Sequence, residues 1–528
     1  MTEHGERGRR RMPPAGRPQA PAAPRGEPGA GHQGTSTARP LVVVGDAFLD
    51  RDLAGRAERL CPEAPVPVVD LDDGAGRTRP GGAALAALLA ALDGRHVVLV
   101  TALGDDDAGA EVAHLLTQAG VEVVDLGLGA TTPEKTRVLA DGRLVVRLDR
   151  GDGAARPGPW TADAGDALAA AGGVLVADYG RGVTADAAFR DALAGLPPRV
   201  PVVWDPHPRG SAPVRGARLG TPNRREAAGL VAEVEGDGLA ADAARARLLA
   251  ERWGAAAVAV TRGAAGAVLW GGDGPPLAVP APPAGHQGHA PPDVCGAGDR
   301  FAATAAGALA DGSLPSEAVT LAVAAASSYV AAGGAAGVAG SSNGAAPVSQ
   351  PRAPGAGHAF VPPSGCTATG APPDVEEFAR RVRSGGGTIV ATGGCFDVLH
   401  AGHVRMLEAA RALGDCLIVC LNSDASVRRL KGPGRPLVPA DDRAAVLRSL
   451  GCVDAVAVFD EDTPEAVLER LRPHLFVKGA DYRADDLPEA RALARWGGQA
   501  VVVPFLEGRS TSGLVESLAR SGGRHPSP

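Results

Sequence analysis

Two strings in this 528-residue chain combine residue types and spacing that suit phosphate chemistry. The first is Asp293-Val-Cys-Gly-Ala-Gly-Asp299, which runs into the apolar stretch Phe301–Leu309. Gly296 and Gly298 let the backbone turn tightly ahead of a helix. The N–H groups of Gly296, Ala297 and Gly298 then point outward, and the helix dipole adds positive potential, which makes a seat for a phosphoryl group. Asp299 opens that helix beside the seat. A carboxylate there can take the proton from a sugar hydroxyl as it attacks a γ-phosphate. The plainer alternative is an aspartate N-cap after a glycine turn.

The second string is Thr392-Gly-Gly-Cys-Phe-Asp-Val-Leu-His-Ala-Gly-His403. It follows an apolar strand and enters a helix near Val404. His400 and His403 are three apart, so they share one face of the helix start. Gly394, Cys395 and Phe396 form the turn, and Gly402 lets phosphate approach the backbone. Two imidazoles at a helix N-terminus can stabilise the charge that develops on an α-phosphate under attack, with no protein nucleophile required. Two alternatives stand beside this: ordinary satisfied histidines, or a zinc pair. The chain has no HExxH and no obvious third ligand for zinc.

Further residues fall where such sites need them. Asn422 ends a strand, at the edge where doubly wound folds bind ligands. Arg428-Arg-Leu-Lys-Gly432 is a basic loop in an acidic protein, and Lys431 suits a triphosphate or a sugar phosphate; a solvated charge run is the other reading. Arg509, Ser510, Thr511 and Ser512 place hydroxyls and amides at the start of a last helix, about 511–519, again a phosphate seat.

The elements that must position these residues are read from hydrophobic runs. Leu41–Val44, Val97–Val100, Val174–Val176, Val202–Trp204 and Ala256–Val260 read as buried strands, with Ala83–Leu92 and Ala162–Ala171 as helices between some of them. Arg137–Leu139 and Leu144–Leu148, joined at Asp141-Gly142, read as a hairpin. A second series starts at Thr388–Thr392. It continues through strand Cys416–Leu421, helix Asp441–Leu450 and the strands Ala455–Phe459, Leu475–Val477 and Ala500–Val503. Strands alternating with helices predict an α/β class in both halves.

Composition bounds the rest. The net charge of −7 leaves no basic footprint for nucleic acid. Seven cysteines, an odd number with no CxxC pair, fit reduced thiols of a cytoplasmic protein. Arg9-Arg-Arg11 is followed by no apolar region, so a secretory leader is not expected. Leu321–Gly340 has the length of a membrane span, but its Ala, Gly and Ser content predicts a packed core helix and no membrane partner.

The first string closely resembles the signature of the ribokinase-like carbohydrate kinases, over roughly residues 41–340. Asp46 lies where that family places a carboxylate on the sugar hydroxyls, and Gly81 and Gly82 resemble its substrate-approaching glycine pair. Gly104-Asp105-Asp106 and Asp178-Tyr-Gly180 also match. Asn223 and Glu226 carry its Asn-x-x-Glu, which the resemblance implies organises Mg²⁺ and the phosphates of ATP. Thr261 and Gly263 resemble the turn near the ATP phosphates. Pro62–Pro67, Thr132–Val138 and Arg147–Asp149 look like heptose 7-phosphate kinases, with Lys135 suited to a phosphorylated sugar. Leu85 stands where the family usually has Asn, Cys295 replaces a common Thr, and Arg300 replaces a small residue.

The second string resembles the His-x-Gly-His nucleotidyltransferases, and residues 386–520 look closest to heptose 1-phosphate adenylyltransferases. Kinase followed by transferase in one chain resembles the bifunctional heptose-activating family. The expected layout is a disordered tail 1–39, a ribokinase-like domain 40–342, a mostly linker segment 343–385, a Rossmann-like nucleotidyltransferase domain 386–520 and a tail 521–528. The resemblance implies ATP and heptose phosphates as substrates, with Asp299, His400, His403 and Lys431 catalytic, and it allows a homodimer through the kinase domain. Two alternatives remain: the same chemistries on another sugar phosphate or with CTP, or a degenerate first domain that regulates or dimerises the second.

Overall fold

The buried strands predicted from apolar runs all join a single sheet. The structure is a computed structural model, and it describes residues 39–151, 156–272, 274–282, 293–339, 374–479 and 489–504. In chain order the strands are β1 (Leu41–Gly45), β2 (Ala47–Leu60), β3 (Pro67–Gly82), β4 (Val97–Thr101), β5 (Glu122–Asp125), β6 (Glu134–Ala140), β7 (Arg143–Arg150), β8 (Gly173–Ala177) and β9 (Val202–Asp205). They continue with β10 (Leu219–Gly220), β11 (Val258–Thr261), β12 (Ala267–Trp270), β13 (Leu277–Val279), β14 (Ile389–Gly394), β15 (Cys416–Asn422), β16 (Ala455–Phe459), β17 (Leu475–Gly479) and β18 (Gln499–Val503).

Fourteen of these strands form one sheet, in the order β16-β15-β14-β17-β18-β13-β12-β11-β10-β9-β8-β1-β4-β5. The first five repeat the doubly wound order 3-2-1-4-5 when the strands are counted from β14. They are all parallel, and β14 to β17 are buried nearly throughout, as near-continuous Val, Ile and Leu runs require. The two halves meet where β13 pairs with β18 at Leu277↔Val502, and Val502 N–H donates to the Pro276 carbonyl at 3.1 Å.

β2, β3, β6 and β7 form a separate four-stranded sheet over the first half. Its hairpin turns at Asp141 (φ 49°) and Gly142 (φ 75°), as the Asp-Gly pair predicts, with longer strands than expected. β2 and β3 are absent from the sequence expectation. Their Asp and Arg residues carry no apolar period, because Asp50, Asp52 and Arg79 are buried as ion pairs on one face of this sheet.

The described part of the Leu321–Gly340 stretch, residues 321–339, resolves into the end of helix Pro315–Ala331 and the short helix Gly334–Ala339. No helix among the described residues is long and apolar enough to cross a membrane. The expected linker 343–385 needs correction at its end. Helix Val375–Ser384 packs on helix Glu465–Leu471 and on β14 and β16, and Ala379 is buried in the second domain's core. The expected tails, residues 340–373, the motif Arg509–Ser512 and the last helix lie outside the described residues. The described cysteines are all free thiols.

Candidate active sites

Asp299 lies at the mouth of helix Ala297–Ala310, only 7% exposed. The turn before it is built locally. Asp293 accepts from Cys295 N–H at 2.9 Å, and the Tyr329 hydroxyl donates to the Cys295 carbonyl at 3.1 Å. Gly296 sits at φ 78°, and a Cβ there would come within 2.5 Å of the Tyr329 hydroxyl and 2.7 Å of Leu85. Gly298 instead faces open space, which leaves its side of the helix mouth accessible. Burial, more than any neighbour, pushes the Asp299 carboxyl up to about 7, and the Tyr179 hydroxyl pulls against it from 2.5 Å.

The polar sheet places a second carboxylate near Asp299. Asp50 is 2% exposed and stands across from Arg79 on β3 and Lys135 on β6. Arg79 and Arg137 approach it at 3.8 and 3.7 Å, yet its Oδ1 has no hydrogen-bond partner. Burial raises the Asp50 carboxyl while those cations lower it. A buried, unpartnered carboxylate oxygen costs stability unless a ligand hydroxyl completes it. Lys135 Nζ lies 3.5 Å from the centre of the Phe48 ring, and burial lowers its pKa.

Asp46, expected on the sugar, accepts backbone amides in this structure. Its Oδ2 accepts from Tyr179 and Arg181 N–H, both at 3.0 Å, and its Oδ1 accepts from Val183 N–H at 3.2 Å. Those amides occupy the buried carboxylate and fold the 179–183 loop around it. Gly81 and Gly82 answer first to Phe48: a Cβ on either would come within 2.5 Å of that ring.

On the far side of Asp299, Asn223 and Glu226 form a capping box at helix Arg224–Leu230. Glu226 N–H donates to Asn223 Oδ1 at 3.0 Å, and Asn223 N–H donates to Glu226 Oε2 at 2.8 Å. Asn223 bridges to Thr261 at the end of β11, and Gly263 follows at φ 59° beside open space. Buried Asp242 ties the two loops together through Arg224 at 2.9 Å and Arg262 at 2.8 Å. Asp205, which the sequence did not single out, faces this region. Burial and the Glu226 carboxylate hold its pKa well above the usual range.

In the second half, β14 ends at Gly393-Gly394 beside the point where strand order reverses. Phe396 then takes φ 44°, uncommon for a non-glycine residue. Asp397 accepts from Leu437 and Val438 N–H and pairs with Arg435, which closes the loop. His400 caps helix Ala401–Arg411, and its ring centroid lies 3.9 Å from that of His403. Burial first, then His400 and Lys431, push His403 down to about 4, so the ring is neutral near pH 7. Lys431 ends the adjacent helix Asp424–Lys431, while Cys395 Sγ lies 3.8 Å from Asn422 Oδ1. The structure therefore brings together Gly394, Cys395, Phe396, His400, His403, Asn422 and the field of Lys431. No group of His, Cys, Asp or Glu among the described residues has the arrangement of a protein metal site.

Comparison with known proteins agrees with this division. Residues 39–339 match the pfkB family carbohydrate kinase profile, and residues 391–512 match the cytidylyltransferase-like profile. The "Bifunctional protein HldE" of Streptomyces coelicolor is 56% identical over 486 residues, covering 91% of this chain and 96% of that protein. The chain belongs to the bifunctional HldE family. The HldE protein of Azorhizobium caulinodans is 41% identical over 90% of this chain and 97% of its own length. An Arabidopsis thaliana ribokinase, solved with ribose and ATP, covers 56% of this chain at 23% identity and a TM-score of 0.44. As an HldE family member, the chain is an enzyme with a carbohydrate kinase domain and a nucleotidyltransferase domain that use ATP.

The departures within this HldE chain are structural. Leu85 is fully buried beneath Gly296. Arg300 turns away from the phosphate seat and pairs with Asp93 at 2.8 and 3.0 Å. Arg443 lies inside the helix expected over Asp441–Leu450, with no role legible in the sequence. It is 1% exposed and donates to the carbonyls of Cys395, Asn422 and Val438 and to Asp424. Replacing it by Met leaves those carbonyls and Asp424 without their donor, and should cost the transferase domain about 3 kcal/mol. Urea unfolding followed through a transferase-domain probe checks this, and a loss below about 1 kcal/mol contradicts it.

Proposed function

We propose that the first domain phosphorylates the anomeric hydroxyl of D-glycero-D-manno-heptose 7-phosphate from ATP. The second then transfers AMP from another ATP to heptose 1-phosphate, giving ADP-heptose and pyrophosphate. The observation that carries the reading is the pairing, in one HldE family chain, of a buried carboxylate at one helix mouth with two adjacent imidazoles at another.

In the kinase step the C1 hydroxyl attacks the γ-phosphorus, its proton passes to Asp299, and ADP leaves. Gly296, Ala297 and Gly298 cradle the transferring group, while Asn223, Glu226, Thr261 and Gly263 face the rest of the triphosphate. A Mg²⁺ carried in with ATP would supply charge neutralisation at the phosphates. Glu226 and Asp205 would hold it, because burial and the neighbouring Glu226 carboxylate disfavour the charge on Asp205 and a cation would relieve that. Lys135 holds the 7-phosphate, and Asp50 replaces Asp46 as the carboxylate on the sugar hydroxyls. Asp50→Asn should raise the KM for the sugar about 10- to 100-fold and leave the KM for ATP unchanged, the loss of a hydrogen bond to a charged group. Steady-state kinetics with each substrate varied in turn checks it, and equal effects on both substrates contradict it.

In the transferase step an oxygen of the sugar phosphate attacks the α-phosphorus and pyrophosphate leaves. His400 and His403 hold the charged oxygens, Lys431 attracts the phosphates, and Gly394, Cys395, Phe396 and Asn422 line the nucleotide seat. Arg509, Ser510, Thr511 and Ser512 extend that seat in this reading. A cytoplasmic location and a homodimer through the kinase domain complete it. The exposed Leu144, Val146 and Leu148 on edge strand β7 support the dimer.

The test is a substrate panel. The full chain is given ATP or CTP with heptose 7-phosphate, heptose 1-phosphate, fructose 6-phosphate and ribose, and products are read by mass. Heptose bisphosphate and ADP-heptose are expected. Preference for another sugar, or for CTP, overturns the assignment.

A further inference from the structure

Tyr179 lies 120 residues from Asp299 in sequence, yet its hydroxyl meets the kinase carboxylate at 2.5 Å. We propose that Tyr179 is a positioning residue for the kinase base: its phenol holds one oxygen of Asp299 and leaves the other to receive the proton of the sugar hydroxyl. This rests on the kinase reading above.

The placement of the phenol is built rather than incidental. The loop that carries it hangs from two buried carboxylates. Asp46 takes the N–H groups of Tyr179, Arg181 and Val183, and Asp178 takes those of Gly180 at 2.7 Å and Ser211 at 2.8 Å. Gly180 adopts φ 69°, where a Cβ would come within 2.9 Å of His207. The Tyr179 ring packs edge-on against Phe48, with centroids 5.3 Å apart, and lies 6.5 Å from the His207 ring. Asp46 therefore reaches the chemistry at second hand, by fixing the backbone from which the phenol projects.

The hydrogen bond matters because Asp299 must be ionised to accept a proton, and burial opposes that. The groups facing it are Asp50 on β2, Lys135 on β6, Tyr179 after β8, Asp205 on β9, and Tyr329 with Cys295 beside the helix mouth. Asp50 and Asp205 disfavour a further negative charge. Lys135 and the Tyr179 phenol favour it, and the phenol is the largest of the favourable influences. Burial holds the phenol protonated, so it serves as a donor through the working pH range.

The experiment follows kcat for heptose 7-phosphate phosphorylation by the full chain from pH 5.5 to 9. It compares the unaltered chain, Tyr179→Phe, and a chain with 3-fluorotyrosine at position 179. Loss of the donor raises the pKa of Asp299, so the acid limb of the Phe variant should move up by about one unit or more. Its rate then falls about tenfold at pH 6 and recovers at pH 9. Fluorotyrosine keeps the shape and donates more strongly, so its limb should move down. Adenylyl transfer by the same chains stays unchanged and reports that they are folded. A limb that moves in neither variant, or a loss equal at every pH, overturns the role of Tyr179 while the kinase reading survives. An unaltered chain that phosphorylates no heptose 7-phosphate at any pH overturns the kinase reading, and this inference with it.

Discussion

Asp299→Asn abolishes phosphate transfer to the sugar and leaves adenylyl transfer at its full rate. Asparagine keeps the size and the helix N-terminus but cannot accept the hydroxyl proton. General base catalysis contributes about 10²- to 10⁴-fold, and kcat for the kinase reaction should fall within or beyond that range. The unaltered enzyme carries the companion signature. With the carboxyl pushed up to about 7, the base is protonated below that pH, so the kinase rate falls as the pH drops through neutrality. Coupled ADP release measured beside pyrophosphate release checks both, in one preparation. A loss below tenfold, or an equal loss of both activities, would remove Asp299 from its role.

His403→Ala gives the opposite pattern. Adenylyl transfer should fall by about 10²- to 10³-fold, the usual effect of deleting a preorganised donor at a charged transition state, while sugar phosphorylation persists. His400→Ala should behave alike, since the two rings are 3.9 Å apart and face one site. Because burial keeps His403 neutral near pH 7, its titration should leave no inflection near pH 6.5 in kcat/KM of the transferase. An alanine variant with unchanged pyrophosphate release contradicts the assignment.

Both helix mouths were legible in the sequence because their chemistry is local. A glycine turn, a capping position and a strand that ends in glycines lie within a dozen residues of each other, and periodicity alone places the strands around them. What stayed hidden depends on distant partners. Asp46 and Asp50 are four residues apart and look equivalent, and only the 179–183 loop folding over Asp46 separates a backbone anchor from a buried carboxylate with an unpartnered oxygen. Arg300 follows Asp299 directly in sequence, yet Asp93, 207 positions earlier, takes both its terminal nitrogens. The contact of Tyr179 with Asp299 has the same character.

Helix Val375–Ser384 was missed for a different reason. Its signal was present: Val375, Phe378, Ala379 and Val382 recur at helical spacing, with Glu376 and Glu377 in the first turn and Arg381 and Arg383 in the last. The nearly uncharged, Gly- and Pro-rich stretch before it masked that signal. The β13–β18 junction left no trace in the sequence, because one backbone pairing between strand edges needs no particular side chain.

The central claim is that one chain performs two phosphate transfers, distinguished by what leaves. Phosphorus NMR of the full chain with Mg-ATP reads that directly. Heptose 7-phosphate should yield an anomeric phosphate with ADP and no pyrophosphate, whereas heptose 1-phosphate should yield a sugar nucleotide with pyrophosphate and no ADP. Pyrophosphate in the first sample, ADP in the second, or unconsumed ATP in both would contradict it.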